Sequence, residues 1–150
     1  MDYSVERVEL EEQDAAVIRA VVPTAGIGDF LGGAFTEVMA VLAEQGLAPA
    51  GPPFGRYQTG PEAFEIEAGF PSSGPVTPSG RVVPATLPGG PTLLVLHRGP
   101  YDAVEAAYHA AEAWLAENDW QATGAPWEAY LDGPEVDNPR TIVHMPARPA

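Results

Sequence analysis

Cysteine is absent from this chain of 150 residues, which removes disulfides, thiolate nucleophiles and thiolate metal ligands at once. Bases are scarce: seven Lys and Arg stand against 21 Asp and Glu, a formal net charge of −14 at pH 7. Such a chain repels phosphates, so direct nucleic-acid binding is not expected. It also offers no basic face to an anionic membrane, while its field draws cations. No apolar run reaches the roughly 18 to 20 residues of a membrane span, and the opening Met1-Asp2-Tyr3-Ser4 lacks a basic and apolar signal pattern. The expected location is the cytoplasm. His97, His109 and His144 are too dispersed for a recognised ligand spacing, so no metal is expected. There is no Gly-x-Ser-x-Gly, and Gly26-Ile27-Gly28 is too short for a dinucleotide fingerprint, so no cofactor is expected either.

What is present is a repeat. Pro53-Phe54-Gly55-Arg56-Tyr57 maps onto Pro126-Trp127-Glu128-Ala129-Tyr130 by adding 73 to each number (126 − 53 = 130 − 57 = 73). The same shift carries Gly26 to Gly99, Asp29 to Asp102, Leu42-Ala43-Glu44 to Leu115-Ala116-Glu117 and Gly51 to Gly124. No gap is needed from Val22 through Tyr57. Two copies are too few for a solenoid and suit one domain over residues 1–150, with repeats at approximately 3–70 and 81–146. The hydrophobic content of 45% supports one folded core. Glu128 breaks the repeat, because its counterpart is Gly55.

In chain order, Tyr3 to Leu10 alternates loosely and Ala15 to Val22 is rich in β-branched residues, which predicts two strands forming a hairpin or at least lying side by side. Leu31, Phe35, Val38 and Leu42 recur at helical spacing between Gly28 and Gln45, with Gly46 placed to end the helix. The second helix is expected from Tyr101 to Asn118, with Val104, Tyr108, Ala111 and Leu115 at the shifted positions. Strands are expected at Pro53 to Gln58 and Ala63 to Phe70, joined by a turn at Thr59-Gly60-Pro61. Pro71 to Ser79 reads as a solvated connector between repeats. Val82 to Leu87, weakened by Pro84, is an edge strand; Thr92 to Arg98 is apolar enough to be central. Strands at Trp127 to Asp132 and Arg140 to Met145 follow, with a frayed tail from Pro146 to Ala150. Each copy then reads strand, strand, helix, strand, strand. The fold class expected is α+β, duplicated β-β-α-β-β modules with about eight strands and two helices around a pseudo-two-fold ligand groove.

The run His97-Arg98-Gly99-Pro100-Tyr101-Asp102, the helix after it with Trp114-Leu115, and Pro126-Trp127-Glu128-Ala129-Tyr130-Leu131-Asp132-Gly133-Pro134 resemble the GyrI-like small-molecule-binding domain. That domain is also the effector-binding half of multidrug-responsive AraC- and MerR-type regulators. The resemblance spans nearly the whole chain and implies paired modules around a ligand groove. It places the family's acidic pocket residue at Glu128, with aromatic side chains around it. With the aromatics placed near it by the repeat and the second helix, the candidate ligand-binding set is Glu128, Tyr130, Tyr57, Tyr101, Tyr108 and Trp127. Some relatives hydrolyse strained cyclopropane-bearing compounds; here Glu128 would be the acid or base, with Tyr130 or, by the repeat, Tyr57 holding the water or the developing anion. The regulators' DNA-binding segment has no counterpart, so a free-standing effector domain is expected.

The residues themselves bear on that set unevenly. Strand alternation puts Glu128 and Tyr130 on one face and Trp127, Ala129 and Leu131 on the other. In an apolar groove the Glu128 carboxylate would be pushed toward protonation unless a cation or hydrogen-bond donors held it ionised. A bound organic cation would be such a partner, with ring faces adding about 0.5 to 2 kcal/mol each. The alternative for Glu128 is an exposed strand residue. Tyr57 and Tyr130, at equivalent positions, suit the walls of a groove or a paired core contact equally. Tyr101 fits a groove mouth or a helix-capping role; Tyr108 lies on the buried stripe and fits the core better; Trp114, Trp120 and Phe54 are packing residues. Three functions follow. The first is a binding protein for a small hydrophobic or cationic ligand, used in drug sensing, sequestration or detoxification. The second is a hydrolase with Glu128 as general acid or base. The third is a gyrase-inhibitor-like module with a protein partner, its acidic surface mimicking DNA.

Overall fold

A computed structural model describes residues 3–59, 64–133 and 135–150. In chain order, β1 (Val5–Leu10) and β2 (Gln13–Val22) precede α1 (Ile27–Glu44). Then come β3 (Phe54–Thr59), β4 (Phe64–Pro71), β5 (Val83–Leu87) and β6 (Gly90–Arg98). A helix, α2 (Glu105–Asn118), is followed by β7 (Trp120–Ala122), β8 (Trp127–Tyr130) and β9 (Arg140–Pro149). All described strand pairs are antiparallel, and the class is α+β as expected. The chain forms two compact units, Glu12–Leu87 and a second built from 3–11 with Pro88–Ala150. The expected turn at Thr59-Gly60-Pro61 lies mostly outside the described residues.

In the Glu12–Leu87 unit, β2 is central, paired with β4 on one side and β5 on the other. Its run Ala15–Ile18 is buried on both faces, which is why apolar residues there are continuous rather than alternating. α1 lays Ala34, Val38, Val41 and Leu42 on Ala16, Ile18, Ile66 and Ala68, with Leu31 and Phe35 half-buried beside them. Of the helical spacing read from the sequence, Val38 and Leu42 are buried and Leu31 and Phe35 only half-buried, while Ala34 and Val41 complete the buried stripe. Gly46, at φ +70°, takes the left-handed conformation that ends α1. β5 is an edge strand, as Pro84 foretold.

In the other unit β6 is central, between β1 and β9, and β9 continues to β8 and β7. α2 covers Leu93, Val95, Val143 and Met145 through Ala107 and Ala111, with Val104, Tyr108, Trp114 and Leu115 half-buried. Its expected start at Tyr101 is instead a single 3-10 turn, Tyr101–Ala103, and the α-helix proper begins at Glu105. Asp119, at φ 54°, ends it in the left-handed region that Asp tolerates better than most residues.

Several expectations are corrected. β1 and β2 do not form a hairpin: β1 pairs with β6, Val5 opposite Val95, and β2 lies between β4 and β5. The two first strands are exchanged between the copies. β1, first in the first repeat, edges β6; β5, first in the second, edges β2. Both exchanges keep one register, since Val5↔Val95 and Val17↔Val83 each sum to 100. The tail is not frayed, because β9 runs to Pro149 and pairs there with β7, a ninth strand the sequence reading omitted. The 71–79 connector is largely solvated, as expected, but it is also pinned. Gln45 donates to the Thr77 carbonyl and accepts from the Thr77 N–H, both at 2.8 Å, and Val76 is buried in the core.

Candidate functional site: a buried carboxylate among tyrosines

β8 is four residues long and alternates as its sequence requires. Trp127 and Ala129 face one way and Glu128 and Tyr130 the other, toward α2. Glu128 is only 9% exposed. Its Oε2 accepts a hydrogen bond from the Tyr108 hydroxyl at 2.6 Å, and its Oε1 accepts from the Tyr130 hydroxyl at 3.0 Å. Tyr108 reaches it from α2 because the helical stripe that buries Ala107 and Ala111 aims position 108 at the sheet. Among the described residues no Lys or Arg forms an ion pair with Glu128.

Burial pushes the Glu128 carboxyl above the usual carboxylate range. The two tyrosine hydroxyls, and more weakly His97, pull it back without cancelling the effect. Removing a carboxylate from water costs several kcal/mol, whereas a hydrogen bond to a charged group returns about 1.5 to 3. A cation placed beside it would complete the compensation.

Tyr101 closes one side of the cluster. Its ring meets that of Tyr130 edge-on, with centroids 5.7 Å apart, and its hydroxyl donates to the Asp132 carbonyl at 2.6 Å. Asp132 is itself held by Arg140, whose guanidinium and backbone N–H both donate to its carboxylate. Tyr101, Tyr108 and Tyr130 are all half-buried.

Of the residues expected at the site, the structure brings Glu128, Tyr130, Tyr108 and Tyr101 together. Tyr108 is both stripe and site: the core contact and the bond to Glu128 coexist. Trp127 is on the opposite face of β8, buried and stacked on His144 with centroids 4.9 Å apart and planes 13° from parallel. Tyr57, in the Glu12–Leu87 unit, packs half-buried against the core under α1. His97 was passed over in the sequence as a poor metal ligand, yet it is 2% exposed and sits near the carboxylate. Its signal was available: with Leu93 and Val95 on the helix side of β6, alternation puts His97 there too. Among the described residues no cluster of His, Asp and Glu has the makings of a metal site.

The family model of the GyrI-like small molecule binding domain matches residues 3–146, so the chain belongs to that family of small-molecule-binding domains. No curated protein matches the chain. Among solved structures it is similar to the C-terminal domain of EcmrR, with a TM-score of 0.85 and 22% identity over 100% of both chains. EcmrR in its complex with DNA gives a TM-score of 0.84 at 20% identity, covering 99% of this chain and 58% of that one. The chain thus spans little more than half the length of that protein. A hydrolase from Listeria innocua gives a TM-score of 0.71 at 14% identity, over 96% of this chain and 91% of the other. At these identities the likeness is one of fold. Among the described residues no helix is long and apolar enough to cross a membrane.

Proposed function

We propose that the chain binds apolar, cationic or aromatic small molecules, with Glu128 as the charge partner and Tyr101, Tyr108 and Tyr130 as the ring surfaces. The use this suits is sensing, sequestration or detoxification of such compounds in the cytoplasm. One observation carries the reading: a buried carboxylate whose oxygens are held by two tyrosine hydroxyls and by no basic side chain among the described residues. Such a group gains most from a ligand that brings its own positive charge. Lipophilic cationic dyes should bind in the micromolar range, about −8 kcal/mol at 1 μM. Glu128→Gln should weaken cations about tenfold or more while leaving neutral dyes of the same shape within about threefold. Equal losses for both classes would mean that the carboxylate plays no electrostatic part.

A second reading is favoured by the same carboxyl being raised toward neutrality and bonded to Tyr130. A group so placed is suited to general acid–base work on a strained electrophile such as a cyclopropane, with Tyr130 steadying a water or the developing anion. Hydrolysis products seen by mass spectrometry, and cut about 10²- to 10⁴-fold by Glu128→Gln, would establish turnover. Saturable binding with no product would leave binding as the function.

A further inference from the structure

We propose that His97 is a positioning residue of the Glu128 site, fixed in place by Tyr3, which lies just ahead of β1. The proposal rests on the reading of Tyr101, Tyr130 and Glu128 as ligand surface, and names what holds that surface in shape. His97 Nε2 lies 2.8 Å from the Pro100 carbonyl, which can only accept, so Nε2 carries the hydrogen and donates. The Tyr3 hydroxyl lies 2.9 Å from Nδ1, a hydrogen bond whichever of the two carries the shared hydrogen. The Tyr3 and His97 rings lie 22° from parallel with centroids 6.0 Å apart. Both ring nitrogens are thus committed in a side chain that is 2% exposed.

Packing alone does not require this arrangement. A phenyl ring would fill the same place on β6 without desolvating two nitrogens. What the imidazole adds is direction. Its bond to Pro100 ties the end of β6 to the turn that follows, across Gly99. Gly99 has φ +132°, where other residues are strained, and its N–H donates to the Pro139 carbonyl at 3.0 Å. The next residue after Pro100 is Tyr101, whose ring edge meets Tyr130. Tyr130 in turn donates to Glu128. Contacts therefore run unbroken from Tyr3 through His97, Pro100, Tyr101 and Tyr130 to the carboxylate. His97 acts on the site through the turn, by setting where the Tyr101 ring stands.

The test uses His97→Phe, His97→Gln and Tyr3→Phe in the full chain, with a lipophilic cationic dye and its neutral isostere as probes. His97→Phe should weaken both dyes about tenfold and alike, because a displaced wall harms either ligand, unlike the cation-selective effect of Glu128→Gln. His97→Gln keeps a donor for the Pro100 carbonyl and should restore binding to within about threefold of wild type. In ligand-free protein labelled on its tyrosine rings, Tyr3→Phe should move the NMR signals of Tyr101 and Tyr130. Unchanged affinity in folded His97→Phe, or equal losses in the Phe and Gln variants, would overturn the proposal. Unmoved Tyr101 and Tyr130 signals in Tyr3→Phe would do so as well, and that arm decides if His97→Phe does not fold. Failure of wild type to bind any dye would strike the reading of the ligand surface, while the ring signals would still decide whether Tyr3 and His97 hold Tyr101.

Discussion

Tyr108, on α2, donates to Oε2 of Glu128, on β8, at 2.6 Å. The bond joins the helix to the strand it covers and gives a buried carboxylate one of its two donors. Tyr108→Phe removes that donor and keeps the ring in the core. The Glu128 carboxyl, already raised, should rise further, and cation binding near neutral pH should weaken and recover as pH increases. A carbon-13 titration of the Glu128 carboxyl reads the first effect and dye titrations across pH read the second. A titration curve that does not move in the variant would remove Tyr108 from the electrostatics of the site.

The same shift has a stability consequence. A carboxyl raised on folding contributes fully below its ordinary range, and that contribution is lost as pH rises through the folded value, because the unfolded chain gives up the proton more readily. Wild type should therefore lose some stability on going from acid toward neutral pH. Glu128→Gln cannot titrate and should lack that fall. Urea midpoints measured from pH 4 to 8 would show it as a difference between the two proteins that grows with pH; a constant difference would contradict it.

His144 works with the opposite sign. Burial, first of all, lowers it from the ordinary 6.5 to about 4, with its bond to the Ile142 carbonyl acting against the shift. A depressed histidine contributes stability above its unfolded value, and this is lost as pH falls from 6.5 toward 4, where the unfolded chain takes the proton first. The shift corresponds to about 3 kcal/mol across that window. His144→Phe keeps a ring against Trp127 and removes the proton, so its unfolding midpoint should be flatter with pH there. An equally steep acid loss in the variant would place the sensitivity elsewhere.

Two glycine substitutions should part in sign. A Cβ on Gly69 would lie 1.8 Å from the Ala16 carbonyl oxygen and 2.9 Å from the Val17 Cα, and backbone atoms cannot swing aside. Gly69→Ala should cost about 3 kcal/mol or prevent folding by forcing β4 from β2. Gly32 on α1 has nothing within 4 Å, so Gly32→Ala should stabilise by about 0.5 to 1 kcal/mol. Thermal unfolding of the two variants checks both, and a tolerated Gly69→Ala would refute the close approach.

The sequence by itself determined the repeat, the presence of both helices and part of the face each one buries. These depend on local periodicity: a 3.6-residue stripe such as Val38 and Leu42, and the 73-residue shift that reproduces it, are visible in one dimension. It also singled out Glu128, because the break against Gly55 and alternation within β8 are local facts too. Which strands pair is not local. β1 joins β6, far along the chain, rather than its neighbour β2, and no local period shows a pairing at that separation. β7 is three residues long, too short for any period to show, and exists only because the end of β9 arrives beside it. The distances at the site have the same origin. That Tyr108 comes from 20 residues away to meet Glu128, that Trp127 stacks on His144 across a strand pair, and that His97 is buried between Tyr3 and Pro100 depend on packing α2 and four strands together. The alternation could say which way each side chain points, but only the tertiary structure decided what it meets.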